Sequence, residues 1–323
     1  MLHRLVLAVL LASAVAGVAR AADTAPAAAL RYHAVTSADG VLLNVVESGP
    51  PDAPPVLFVH GIGQSLLSWR RQFEGPLAGQ LRLVALDLRG HGDSGKPATP
   101  ESYREACRWA EDLRAVQRAL GLMKPVVVAW SFGGLVAMHY VRCLGTRELG
   151  GLVLVATAAG RLVSPPAGPP SAGAVRAGAA AREMSSPDLR RNLAGARDFA
   201  ALMTARQPDA AWEAESIAAL LRLPAYVRRA LGTGTLGPGG VPVTTNADLA
   251  TRLDLPLMVI AGGRDALSDG RALAYAYRAR FPAAQVIVYE EAGHSPFAES
   301  PARFDADLAG FVSARRAPPR AAD

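Results

Sequence analysis

Short apolar runs without polar alternation recur along the chain at residues 55–59, 83–86 and 126–129, and again at 152–156, 257–260 and 286–289. A strand with one wet face alternates apolar and polar positions, so these runs are expected as strands buried on both faces. Stretches with helical spacing lie between them, residues 104–120 and 133–144 among them. Buried strands alternating with helices predict an α/β fold, a mostly parallel sheet covered by helices on both faces. Ahead of the first run, residues 30–47 read as two strands joined at Asp39-Gly40, a favoured hairpin dipeptide.

One connection breaks the rhythm. A long segment separates the strand ending at Ala156 from the one starting at Leu257, where a few residues would be usual. Residues 161–251 are therefore expected as an insertion, dividing a core of 30–160 and 252–316. The insertion opens on a Pro/Gly/Ala-rich stretch and then carries Ser186-Pro187-Asp188, read as an N-cap with proline at the first helical position. Leu189, Leu193, Ala196, Phe199 and Met203 recur at helical spacing, as do Trp212, Ile217, Leu220 and Leu221. Those apolar stripes suit a helical lid over the core.

Composition adds limits. Half of the residues are hydrophobic and 19% are charged, which excludes disorder along the whole chain. The first 21 residues form a signal-peptide pattern: His3 and Arg4, an apolar run from Leu5 to Val18, then Ala19-Arg20-Ala21 as an A-x-A cleavage site. The run is short of the roughly 20 residues that span a bilayer. Export after cleavage near Ala21 is expected, to the periplasm or the outside, with no stable membrane anchor. Losing Arg4 and Arg20 lowers the formal charge from +6 to +4. Arginines are scattered and the only lysines are Lys96 and Lys124, so no clustered basic face suggests a nucleic-acid partner.

Two cysteines, Cys107 and Cys143, would invite a disulfide in an exported protein. The helix placement argues otherwise. One sits near the start of its helix and the other near the end of the next; if both helices run antiparallel to the strands, they are separated by roughly 15 Å, against a Cα limit of about 7 Å. Two free thiols are expected.

The chemistry-bearing signals lie at strand ends. Ala129-Trp130-Ser131-Phe132-Gly133-Gly134 joins a buried strand to a helix, and small residues flank the serine at two before and two after. His60-Gly61-Ile62-Gly63 follows another strand, Gly262-Gly263-Arg264-Asp265 a third, and Gly293-His294-Ser295-Pro296-Phe297 a fourth. An open α/β sheet places its ligands at such ends. Asp87-Leu88-Arg89-Gly90-His91-Gly92-Asp93-Ser94 reads as structural. Within it, Gly90 to Lys96 mimics a phosphate-binding loop, but Pro97 stands where a magnesium-binding hydroxyl should be. No His/Cys spacing suits zinc, and His33, His91 and His139 read as structural.

Taken together these stretches resemble the α/β-hydrolase family, whose nucleophile elbow is G-x-S-x-G, with Ala129 replacing the first glycine. The chain looks most like its lidded serine esterases and cofactor-free haloperoxidases. The resemblance implies a catalytic triad of Ser131, Asp265 and His294, in the family's chain order, with its G-x-x-D spacing selecting Asp265 over Asp269. It implies an oxyanion hole from the backbone N–H groups of Ile62 and Phe132, with His60 structural. Trp69, Trp130 and Phe297 flank the motifs and, with Phe199, Met203 and Trp212 of the insertion, are expected to wall a substrate pocket. The expected activity is hydrolysis of a small, mainly apolar ester through an acyl-enzyme, with no metal or cofactor. Carbon-carbon hydrolase, lactonase, amidase, acyltransferase and perhydrolase chemistry use the same triad and stay open, as does a triad-bearing small-molecule receptor. Haloalkane dehalogenases and epoxide hydrolases require a carboxylate nucleophile, which Ser131 is not.

Overall fold

The computed structural model describes residues 29–164 and 169–315. The signal-peptide reading and the chain beyond 315 lie outside the described residues. The hairpin forms as β1 (Arg31–Thr36) and β2 (Leu42–Ser48), turning at Gly40 with φ 84°. Then come β3 (Pro55–Val59), the short α1 (Arg70–Glu74), β4 (Arg82–Leu86), α2 (Glu101–Arg104), α3 (Ala106–Ala119), β5 (Val126–Trp130), α4 (Phe132–Leu144) and β6 (Gly151–Val155). The expected helix at 104–120 is thus split, with Glu105 in extended conformation between its two parts.

The insertion holds α5 (Ala172–Glu183), α6 (Leu189–Ala201), α7 (Ala210–Arg222) and α8 (Ala225–Leu231), followed by a minimal antiparallel pair, β7 (Thr235–Leu236) and β8 (Pro242–Val243). The cap of α6 is Asp188 rather than Ser186. Its carboxylate accepts the amides of Arg190 and Arg191, which leaves Pro187 outside the helix. The core resumes with β9 (Leu257–Gly262), α9 (Gly270–Arg280), β10 (Gln285–Tyr289), α10 (Pro296–Glu299) and α11 (Pro301–Ala314).

Eight strands form one sheet in the order β1-β2-β4-β3-β5-β6-β9-β10, parallel from β4 through β10, with β2 antiparallel to β1 and β4. From β3 the chain steps out to β4 and then crosses back to β5 on the other side of β3. Connections therefore leave β3 and β5 in opposite directions, which opens a crevice at their C-terminal ends. Those ends carry His60 and Ser131.

Successive side chains of each apolar strand enter different cores. Leu57, Val59, Val127 and Ala129 pack with Trp109, Leu113 and Val116 of α3, Val136 and Tyr140 of α4, and Tyr277 of α9. Val56, Phe58, Val126, Val128 and Trp130 pack with Phe73, Phe304 and Leu308. Met184, Ala196, Met203, Trp212 and Leu220 of the insertion join this second cluster. Burial of each large apolar side chain is worth roughly 1.5–3 kcal/mol, so apolar contact holds the insertion on the core. Leu189 departs from its expected stripe, being 83% exposed.

Cys107 and Cys143 form a disulfide, with Cα atoms 5.5 Å apart, contrary to the two free thiols expected. The expectation treated α3 and α4 as parallel rods compared only by height. Instead the first turn of α3 lies beside the last turn of α4, and neighbouring contacts agree. Glu105 bridges to Leu236, while Arg142 bonds Asp248 and Asn246, so both helix ends meet the tail of the insertion.

Candidate active site

Ser131 sits between β5 and α4 with φ 52° and ψ −115°. A non-glycine residue held there costs of order 1–3 kcal/mol and persists only when its surroundings fix it. Three bonds do so: Ser131 N donates to Val155 O at 2.9 Å, Gly134 N donates to Ser131 O at 3.0 Å, and Thr157 Oγ1 donates to Ser131 O at 2.7 Å. Gly133 is required by space, because a Cβ there would stand 2.5 Å from Val59 O. The sharp turn lifts the serine side chain clear of strand and helix alike.

His294 reaches Ser131 from the loop after β10. Its Nε2 lies 2.9 Å from Ser131 Oγ and its Nδ1 lies 2.8 Å from Asp265 Oδ2. The Asp265 side chain has no exposed surface and that of His294 only 7%. Burial disfavours the Asp265 charge, but His294, the Ser268 hydroxyl and the Leu267 amide outweigh it and hold the carboxyl below its ordinary range. An ionised Asp265 only accepts, so Nδ1 carries the proton and Nε2 is free to accept from Ser131. Asp269 has another task, capping α9 by accepting from Ala272 N at 2.9 Å.

The His60–Gly63 loop lies against the serine, since a Cβ on Gly61 would come 3.3 Å from Ser131 Cβ. His60 is fully buried; its Nε2 accepts from Leu88 N at 3.0 Å and its Nδ1 donates to Gly61 O at 2.8 Å. Burial pushes its pKa down to about 4, and the neutral ring acts as a brace for the loop. Phe132 opens α4, so its N–H is among the first-turn amides that lack an intrahelical partner. With Ile62 on the facing loop, this arrangement can offer backbone donors to an oxygen developing charge beside Ser131.

A family model described as alpha/beta hydrolase fold matches residues 54–301. The chain belongs to this family. Among solved structures, a putative aryl esterase from Burkholderia cenocepacia is 33% identical, with a TM-score of 0.76 over 88% of this chain and 99% of that one. An esterase from Rhodococcus sp. ECU1013 is 27% identical, with a TM-score of 0.74 over 87% of this chain and 98% of that one. Among curated proteins, mouse epoxide hydrolase 4 is 36% identical over 104 residues, 32% of this chain and 28% of that one. Epoxide hydrolase A of Mycobacterium tuberculosis is 34% identical over 101 residues, 31% of each chain. The chain thus spans a third or less of the length of the first curated relatives it matches.

Within this α/β-hydrolase, the arginine–glycine stretch after β4 is framework. Asp87 accepts from Leu66 N, Asn44 Nδ2 and Asp93 N, and a Cβ on Gly92 would overlap its carboxylate at 2.1 Å. Arg89 is fully buried between Asp112 and Asp39, meeting each with two nitrogens. The lysine of the phosphate-loop mimic donates to Gly92 O and Ser94 O.

Trp69, Trp130 and Phe297 lie in the interior, their rings packed on one another and on Phe58 and Phe304. They support the site from beneath, and Trp130 Nε1 donates to His294 O at 2.7 Å. From the insertion, Met203 and Trp212 are buried and Phe199 is half-buried in the same cluster. The insertion touches three loops of the site: Leu220 lies against Gly63, Ser171 Oγ donates to Ala266 O, and the Thr204–Ala205 backbone lies against Gly293.

Three residues that the sequence did not single out support the Ser131–His294–Asp265 chain. Ser268 donates to Asp265 Oδ2 at 2.6 Å, Thr157 holds the elbow carbonyl, and Glu299 bonds the amide before His294. Thr157 and, through Ala205, Glu299 act on groups that only the fold brings near. Ser268 alone had a local clue, as a hydroxyl three residues after the aspartate.

Proposed function

We propose that the protein is a serine hydrolase that cleaves a small, mainly apolar carboxylic ester. The observation that carries this reading is the continuous hydrogen-bond chain from Ser131 through His294 to Asp265, at 2.9 and 2.8 Å, on a strained elbow at the sheet's crevice. Ser131 Oγ attacks the ester carbonyl as His294 Nε2 takes its proton, and Asp265 steadies the imidazolium. The amides of Ile62 and Phe132 receive the oxyanion. His294 then protonates the leaving alcohol, and the acyl-enzyme is released by a water that His294 deprotonates.

The esterase-named structures align along most of the chain, which favours this reading over the epoxide hydrolase names matched across a third of it. Chemistry points the same way. Opening an epoxide with a serine would leave an ether that water does not cleave, whereas a carboxylate would leave a hydrolysable ester. Phe199, Met203, Ile217 and Leu267 belong to the apolar cluster that also holds Trp130 beside Ser131, which favours an apolar acyl or alcohol group over a sugar or charged peptide. The N-terminal signal pattern and the Cys107–Cys143 disulfide both support work in an oxidising compartment outside the cytoplasm.

A panel of p-nitrophenyl esters of increasing chain length tests the reading. Multiple turnovers are expected, falling by several orders of magnitude in Ser131→Ala and His294→Ala, with little further loss in the double variant. Wild-type hydrolysis by Ser131→Ala would refute it. Consumption of about one ligand per molecule would indicate a receptor instead.

A further inference from the structure

We infer that Glu299 is a positioning residue that ties the His294 loop to the insertion and so sets the height of the His294 ring above Ser131. The inference rests on the reading of His294 as general base. Glu299 ends α10, and its two carboxylate oxygens face two different segments. Oε1 accepts from Gly293 N at 2.7 Å, immediately before His294, and Oε2 accepts from Ala205 N at 2.8 Å, on the stretch between α6 and α7.

The two segments touch through bare backbone. A Cβ on Gly293 would stand 2.5 Å from Ala205 N and 2.7 Å from Thr204 C, so glycine lets the insertion come this close to the histidine. Beside this point the interface is open: a cavity of about 190 Å³ lies between Arg71, Thr204, Arg206, Trp212 and Glu299. Ala292 and Phe297 anchor the loop in the apolar cluster on either side, while at Gly293 itself the bridging carboxylate makes the polar link to the insertion. Burial raises the Glu299 pKa, partly offset by the amides of Ala205 and Gly293. With Trp130 Nε1 on His294 O, the histidine backbone is held from below and from the insertion side.

A carboxylate supplies two acceptors, whereas a glutamine would turn an N–H₂ toward one of the two amides. Ring displacement of the order of 1 Å can cost about 100-fold in rate. The test compares Glu299→Gln, Glu299→Asp and Glu299→Ala by kcat and KM for p-nitrophenyl acetate and butyrate. Rates are referred to sites titrated to completion with a fluorophosphonate, which removes unfolded protein from the count. Glu299→Gln should lower kcat per site by about 10- to 100-fold with KM within about threefold. Glu299→Asp, which keeps both acceptors, should recover part of that loss, and Glu299→Ala none.

Unchanged kcat per site in Glu299→Gln, accompanied only by a lower melting temperature, would make Glu299 a plain brace and overturn the inference. Equal losses in Asp and Ala would overturn it as well. His294→Ala separates the two readings: an inactive His294→Ala beside a fully active Glu299→Gln fails the positioning role alone, whereas an active His294→Ala fails the general-base reading itself.

Discussion

Ser131 occupies a backbone conformation that a free serine avoids, and neighbours on β6 and its following loop hold it there. Strain of this kind is tolerable at one residue because it exposes the one oxygen the chemistry would use. Asp265→Asn should keep the loop bonds to Leu267 and Ser268 in part but favour the wrong imidazole tautomer. Its kcat for a p-nitrophenyl ester should fall by about 10⁴-fold, still above Ser131→Ala. Arg89 illustrates the opposite case, a buried charge with a structural task. Arg89→Met would leave the buried Asp112 without its partner, and the urea midpoint should drop by the equivalent of about 3–5 kcal/mol. An unchanged midpoint would place the stabilising role of this stretch elsewhere.

At the scale of elements, the disulfide closes the chain from Cys107 to Cys143 around β5 and the Ser131 elbow. Replacing both cysteines by alanine should cost roughly 2–4 kcal/mol in urea unfolding through the larger entropy of the unfolded chain. Equal midpoints for the two proteins would contradict that. The insertion carries a second expectation: Phe199→Ala, Met203→Ala or Trp212→Ala should shift the kcat/KM ratio of long to short acyl esters by about 10-fold in at least one case. Unchanged ratios in all three, with stability intact, would leave the insertion a packing element.

Five core strands were legible because burial on both faces writes an uninterrupted apolar run, and the half-buried edge strand β10 keeps the same pattern; Ser131, Asp265 and His294 stood out because they follow such runs at tight glycine-rich turns. The crossing of α3 over α4 was not, since periodicity records which face of a helix is buried and not where its ends lie. Glu299 was equally hidden. It serves an amide on Ala205, far away in the chain, and a lone glutamate among prolines carries no mark of that. The α6 cap was misplaced because Ser186 and Asp188 are both good capping residues and only the backbone chooses between them.

At the scale of the molecule, the buried rings of His60, His91 and His139 make acid a weak side of the fold. Burial pushes His60 down to about 4 and His91 and His139 to about 3, below the ordinary 6.5. The unfolded chain therefore takes up protons below about pH 6.5 that the native state refuses. Their stabilising contribution is fully present above that pH and is lost as pH falls toward 4, at up to about 1.4 kcal/mol per unit for each group. Asp305, raised to about 6 by burial, works in the opposite direction over the same window, as do Glu299 and Asp112, which burial also raises, so the histidine share is read from a histidine variant. Urea midpoints should fall between pH 7 and pH 4.5, and less steeply in His139→Leu; a flat profile would contradict the neutral burial of these rings.

All of this organisation converges on one oxygen at the crevice between β3 and β5. Labelling with a fluorophosphonate, followed by intact mass and peptide mapping, addresses it most directly. The reading predicts one adduct per molecule, located on Ser131, with esterase activity lost in proportion and no labelling of Ser131→Ala. An adduct on another residue, or full ester turnover by completely labelled protein, would contradict it.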